Sequence, residues 1–185
     1  MSTEDLPTPA TLRKLLSYDP ATGLLTWRRR PIEMFTSERI YNSWNTKHAG
    51  KEAFTAATGE GYKAGRIFRK FYRAHRVAWA IHHGAWPIRQ IDHINGSKSD
   101  NRIANLRDVS PSTNQRNAVR PSNNTSGVCG VSWHKGDRIW RAQIMLRGKQ
   151  RHIGRFADFN DAVAARKAAE VKYGYHENHG RSAPV

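Results

Sequence analysis

Cysteine is almost missing from this chain: Cys129 is the single one among 185 residues. One thiol excludes an internal disulfide framework and any zinc site built on several cysteines, and it fits a reducing cytosol. Long apolar runs are missing as well. None approaches the roughly 20 residues that a membrane-spanning helix needs, so no membrane partner is expected. The opening MSTEDLPTPAT is acidic and polar, unlike a secretory leader. Acidic groups are scarce: 15 Asp and Glu against 31 Lys and Arg leave a net charge of +16. Such an excess favours a polyanion partner, because each phosphate neutralised by Lys or Arg releases condensed counterions.

The charge is unevenly spread. Residues 51–90 and 121–185 each carry a net +6, whereas residues 91–120 between them carry +2. A duplex gripped on both sides of a reaction centre would produce that pattern, and so would two solvated basic faces. Residues 8–17 are expected to form a short helix with Leu12, Leu15 and Leu16 on one face. A Pro- and Gly-containing turn over 18–23 leads to a brief strand, Leu24 to Trp27, ended by Arg28-Arg29-Arg30. Residues 32–50 carry no assignable pattern. Two strands joined by a turn are expected within 53–74, with glycines as punctuation and Arg66, Arg69, Lys70, Arg73 and Arg76 interleaved among aromatics. A helix is expected over 75–83, with Val77, Ala78 and Ile81 inward and Gly84 as its stop. Its His75, His82 and His83 read as ordinary hydrogen-bonding histidines, not metal ligands.

The most informative stretch is IDHINGSKSDNRIANLRDVSPSTNQRN, residues 91–117. It reads as strand, loop, short strand, then a helix opening at Ser110-Pro111, where proline's missing N–H has no intrahelical partner to lose. His93 can accept a proton near neutral pH. Asp92 is a hard oxygen ligand for Mg²⁺ or Mn²⁺, and an Asn carbonyl can be a second. Adjacent residues of a strand point to opposite faces, so Asp92 and His93 need a strand end or kink, which Asn95-Gly96 permits.

The pattern DHINGxxxDNRxxNLR followed by an Asn-rich helix start resembles the HNH nuclease family, in its phage and intron-encoded homing branch, whose last motif position is Asn. YDPATGLLTW and AHRVAW…GAWP also resemble upstream parts of that branch, and the likeness runs from about residue 12 to 118. The resemblance implies a ββα-metal (His-Me finger) core over about 88–119. It also implies one divalent metal held by Asp92 and Asn114, His93 as general base and Asn105 orienting it. Asn105 and Asn114 lie 13 and 22 residues after Asp92, which fits the motif. Asn117 rivals Asn114 for the metal, and Asn101 rivals Asn105. The implied reaction is hydrolysis of double-stranded DNA to 5′-phosphate and 3′-hydroxyl ends, with no obligate protein partner. A non-catalytic DNA-binding regulator on a degenerate nuclease scaffold, or a basic RNA-binding protein, would carry the same charge.

The organisation expected is an α+β protein: nuclease region 1–119, linker 120–127, second domain 128–176 and tail 177–185. In the second domain three β-like runs, 128–134, 138–146 and 149–156, precede a helix capped by Asp158, with Ala162, Ala165, Ala169 and Tyr173 on its apolar face. Gly130-Val131, Trp140, Ala142, Ile144, Gly154-Arg155-Phe156 and Asp161-Ala162 resemble the ethylene-response-factor (APETALA-type) DNA-binding domain, three antiparallel strands backed by a helix. The resemblance implies groove contacts from Ser132, His134, Gln143, Met145, Gln150 and His152, with Lys135, Arg141, Arg147 and Lys149 beside them. Those positions hold few arginines and no tryptophan, so that family's target does not transfer. Arg69 and Arg73 are the DNA contacts expected from the first region.

Overall fold

The structure is a computed structural model that describes residues 6–182. The polar opening at residues 1–5 and the last part of the expected tail lie outside the described residues. The chain divides into two compact units, residues 1–108 and 109–185. The division falls before the expected linker, and residues 120–127 belong to the second unit.

In the first unit, α1 (Pro9–Leu15) starts at Thr8, whose Oγ1 accepts the Thr11 N–H at 3.1 Å. Pro9 occupies the first turn, where it sacrifices no hydrogen bond. Leu12, Leu15 and Leu16 are fully buried, the face that the leucine spacing predicts. The chain passes directly into β1 (Leu16–Tyr18), which pairs antiparallel with β2 (Leu25–Trp27) through the register Ser17 opposite Thr26. In the turn between them, Asp19 accepts from the Ala21 N–H at 2.9 Å and the Thr22 hydroxyl at 2.7 Å. Gly23 closes that turn at φ 77°, and a Cβ there would sit 2.5 Å from the backbone N of Arg102.

The unassigned stretch 32–50 contains a 3₁₀ turn at Ile32–Met34 and helix α2 (Glu38–His48). Few apolar residues mark α2. Its place is set by aromatic packing of Trp44 against Trp27 and Phe35. The expected hairpin is a three-stranded sheet, β3 (Ala56–Ala57), β4 (Lys63–Ile67) and β5 (Lys70–Arg73), in that order. Its β4–β5 turn is Phe68-Arg69, not a glycine.

Helix α3 (Ala74–His83) has two buried sides. Val77, Ala80 and Ile81 join the core of Leu12, Leu15, Phe54 and Ile67, while Ala78 joins Ile91 and Leu106. Gly84 ends it in the left-handed conformation, and the Arg13 side chain donates to the Ile81 carbonyl at 3.0 and 2.6 Å, covering an acceptor the last turn leaves open. Strands β6 (Gln90–His93) and β7 (Leu106–Val109) pair as a two-stranded sheet, packed on α3 through Ile91 and Leu106.

The second unit opens on α4 (Pro111–Gln115), with Ser110 Oγ accepting the Thr113 N–H at 3.2 Å. Residues 116–120 are then hydrogen-bonded by the returning chain end, Gly180 N to Ala118 O at 2.9 Å and Arg120 N to Arg181 O at 2.9 Å. The expected tail is therefore tied down up to the last described residue. The polar run expected as a linker is a set of turns closed by its own side chains: Asn124 Oδ1 accepts the Gly127 N–H at 2.8 Å, and Ser126 Oγ donates to the Val131 carbonyl at 2.6 Å.

Three antiparallel strands follow, β8 (Val131–His134), β9 (Ile139–Leu146) and β10 (Lys149–Phe156), ordered β10-β9-β8. Helix α5 (Phe159–Lys172), capped by Asp158, packs on them through Ala162 and Ala169 against Ala142 and Ile144. Ala165 is half-buried, and Tyr173, expected to extend this face, is exposed. A charged residue sits on the apolar face instead: buried Arg166 donates to the carbonyls of Cys129 at 2.9 Å and Gln143 at 3.1 Å and lies 3.2 Å from Glu170. Removing one partner of such a buried pair strands the other charge.

Two substitutions test these contacts. Gly23→Ala combines a left-handed backbone with a backbone clash and is expected to cost roughly 2–4 kcal/mol in urea unfolding. Arg166→Ala is expected to cost roughly 3–5 kcal/mol, most of it recovered in the Arg166→Ala, Glu170→Ala double variant.

Candidate active site

Residues 92–107 build the polar centre of the first unit. β6 stops at His93, and Gly96, at φ 76°, reverses the chain with its N–H on the His93 carbonyl at 2.8 Å. Asp92 and His93 are both buried, 7 % and 4 % exposed, so both are removed from bulk solvent at the end of the strand. Arg107 on β7 takes Asp92 Oδ2 through Nε at 2.8 Å and Nη2 at 2.7 Å, offsetting burial of that carboxylate.

The His93 ring meets Tyr62, His75 and Asn101. Asn101 Oδ1 lies 3.2 Å from His93 Nε2. A carboxamide oxygen only accepts, so Asn101 in this orientation favours the tautomer with the proton on Nε2 and the lone pair on Nδ1. His75 stands edge-on to His93 at 5.1 Å, and Tyr62 packs at 5.8 Å. Burial lowers the His93 pKa from 6.5, against the Asn101 hydrogen bond and the nearby Asp92 and Asp100, which act to raise it. The imidazole is thus held neutral, the form that accepts a proton. His75 is held neutral more strongly, its pKa lowered from 6.5 to about 3, first by burial and then by His93 and two arginines. Its buried Nδ1 has no hydrogen-bond partner among the described residues.

The expected contact of Asn105 with the imidazole is corrected. Asn105 Oδ1 accepts the Asn95 N–H at 2.9 Å and its Nδ2 donates to the Asp100 carbonyl at 2.9 Å. It clamps the loop, and the residue the loop delivers to the ring is Asn101. Asp100 tightens the same loop by accepting from Arg102 at 2.8 and 2.6 Å and from Asn95 Nδ2 at 2.8 Å, and its carboxyl is lowered to about 2, chiefly by Arg102. From outside, the Tyr18 hydroxyl donates to the Asn101 carbonyl at 2.7 Å, and the Ile103 N–H donates to the Pro20 carbonyl at 3.1 Å. Burial raises the Tyr18 phenol to about 12, so it stays a donor.

Asn114 is half-buried on α4, and Asn117 is buried with its Oδ1 accepting from Arg181 at 3.0 Å. Among the described residues no group of three His, Cys, Asp or Glu side chains is placed to hold a metal. The donors on offer are carboxylate and carboxamide oxygens, which fit a hard divalent cation and not a soft one. His82 and His83 are exposed.

Residues 72–116 match the HNH endonuclease family. Over 103 residues, 54 % of this chain and 84 % of the relative, the sequence is 37 % identical to Protein 3.8 of Escherichia phage T7. The chain belongs to the same family as this phage protein and carries an HNH endonuclease domain at residues 72–116. No solved structure matches it. The HNH stretch covers the end of β5, α3, β6, the Asn105 loop, β7 and α4, so the buried His93, His75 and Asn101 lie within the matched part, while Tyr62 lies before it.

The other predicted contacts are spread over both units. By register, Ser132 lies opposite Arg141, His152 opposite Gln143 and Gln150 opposite Met145, placing these six on the sheet face away from α5, with His134 on the same face. Arg141 is ion-paired to Asp137 at 2.7 Å. Lys135 and Arg147 are exposed in the two hairpin turns, and Lys149, opposite Leu146, belongs to the α5 side. Arg69 is exposed in the β4–β5 turn, whereas Arg73 pairs with Glu60 at 2.5 Å and lies over the Tyr62 ring at 4.6 Å. No helix is long and apolar enough to cross a membrane among the described residues.

Sequence reasoning missed Arg107 and His75. An Arg two positions after Asn105, on the strand paired with β6, was the available signal for the first; none existed for the second. Because the His75 pKa is lower folded than unfolded, the unfolded chain takes up the proton first as pH falls below 6.5. Stability is therefore present above 6.5 and is lost toward about 3. Between pH 6.5 and 4 the loss attributable to His75 is expected to be on the order of 3 kcal/mol, and His75→Phe should flatten that part of a urea-unfolding pH profile. The stability that Asp100 contributes is present above its ordinary 3.8 and is lost only as pH falls from there toward about 2.

Proposed function

We propose that this HNH protein is a metal-dependent, site-specific DNA endonuclease of the phage homing type. The observation that carries the reading is the buried, neutral His93 with its Nε2 proton fixed on Asn101, inside the stretch shared with the HNH family. His93 Nδ1 takes the proton of an attacking water, Asn101 holds the tautomer, and Asn105 with Asp100 holds Asn101. Arg107 fixes the rotamer of Asp92. A divalent ion, Mg²⁺ or Mn²⁺, held by Asp92 and Asn114, would supply Lewis-acid stabilisation of the phosphate and the leaving 3′-oxygen. The products are 5′-phosphate and 3′-hydroxyl ends. For the second unit, the face away from α5 is proposed to enter the major groove, in the manner of the ethylene-response-factor domain, with Gln143 and His152 central to it.

His93→Ala is expected to lower the cleavage rate roughly 10²–10⁴-fold while retaining duplex binding, and Asp92→Ala to lose cleavage together with its dependence on added Mg²⁺. The acid limb of the wild-type rate profile should fall below pH 6.5, because burial disfavours the imidazolium. Asn101→Asp puts a charge beside the ring and should move that limb upward. Normal cutting by His93→Ala would remove the proposed base. Gln143→Ala should relax base preference at one position of a selected target, a change of about 1–3 kcal/mol.

A further inference from the structure

The tip of the β4–β5 hairpin is built against local preference. Phe68 and Arg69 have φ of 48° and 65°, the left-handed backbone that Asn-Gly ordinarily occupies in a two-residue turn. Holding non-glycine residues there costs on the order of 1 kcal/mol or more each. The turn also leaves the Phe68 ring 59 % exposed, with Phe71 beside it at 51 %. A fold gains nothing from that arrangement.

Behind the tip lies a concavity of about 340 Å³, lined by Trp27, Arg30, Trp44, Arg66, Phe68 and Arg69. Its cationic floor is pre-set. The Arg30 guanidinium lies 3.9 Å over the Trp44 ring and 5.0 Å from Trp27, and its buried Nε has no hydrogen-bond partner among the described residues. Asn45 holds the backbone at this point, accepting the Arg30 N–H at 2.9 Å and donating to its carbonyl at 3.1 Å. Arg66 and Arg69 are exposed, and among the described residues no carboxylate pairs with Arg30, Arg66 or Arg69. Three uncompensated guanidinium groups beside aromatic faces suit a ligand that is anionic on one side and flat and apolar on the other.

We propose that this concavity is a DNA-contacting site separate from the His93 centre: Arg30, Arg66 and Arg69 take backbone phosphates of a duplex, and Phe68 presses its ring into the adjacent groove. The inference rests on the nuclease reading for its partner. An exposed ring flanked by cations is how proteins wedge a base step while holding the strand by its phosphates. The contact carries little sequence information, so it adds affinity at any site and leaves base selection to other surfaces.

The turn itself supplies a discriminating variant. Phe68→Asn with Arg69→Gly installs the pair that the backbone prefers while removing ring and cation. The expected result is a higher midpoint of urea unfolding together with weaker binding to a short random-sequence duplex, measured in the His93→Ala background. The slope of log affinity against log salt should fall by roughly 1, and by about 1 again when Arg66→Ala is added. 2-Aminopurine placed in the duplex should brighten with the Phe68-containing protein and not with Phe68→Ala. A tip variant that is more stable yet binds with unchanged affinity and salt slope would overturn the proposal, and if wild type still cuts DNA the nuclease reading survives it. Failure of the wild-type chain to bind or cut duplex DNA would instead remove the reading on which this site rests.

Discussion

One hydrogen bond organises the centre of this protein, the pairing of His93 Nε2 with Asn101 Oδ1. A histidine can serve as a base only if the ring is neutral and its lone pair is on a known nitrogen. For the base proposed at His93, burial supplies the first condition and Asn101 favours the second. Neither works unless the loop that carries Asn101 is rigid, and its rigidity comes from three directions. Asn105 bridges the loop from within, Asp100 and Arg102 lock its far side, and the turn at residues 18–23 presses on it from outside. The leucine core beneath β1 therefore bears on the site through Tyr18 and Gly23.

The same centre holds an electrostatic opposition. Desolvation drives the His93 imidazole toward neutrality, while Asp92 and Asp100 pull it toward the charged form. Arg107 lessens the pull of Asp92 by occupying one of its oxygens, and Arg102 does likewise for Asp100. His75 adds a second buried neutral ring at van der Waals range, and the nearby His93 helps to keep it so. Removing either arginine would thus leave a stronger field at the ring, even though neither side chain is hydrogen-bonded to it.

Much of this was legible in the sequence because local rules sufficed. Ser110-Pro111 marks a helix start by capping chemistry alone, and the alternation through Trp140, Ala142 and Ile144 marks a strand with one packed face. The failures share a cause, which is tertiary closure. Asn101 and Asn105 both lie in an asparagine-rich loop, and only the folded turn decides which amide reaches the ring. Helix α2 has too polar a sequence to show a face, since its anchoring contacts are aromatic pairs made with residues outside it. The β4–β5 turn was invisible because Phe68-Arg69 lacks every residue that ordinarily announces a reversal. Arg166 carried no signal among the alanines expected to form the face of α5, because burial of a guanidinium depends on carbonyls supplied by other elements.

The Asn105 clamp has a consequence for how this loop can vary. A single carboxamide spans from the Asn95 amide to the Asp100 carbonyl, two points set apart by four intervening residues. Lys98 is exposed but its Nζ donates to the Glu60 carbonyl at 2.8 Å, and Ser99 is exposed beside the Ser97 hydroxyl, so neither side chain sets the loop's span. Their number is another matter. The side chain acts as a gauge of fixed span, and a segment one residue longer or shorter would carry Asn101 past the ring instead of against it.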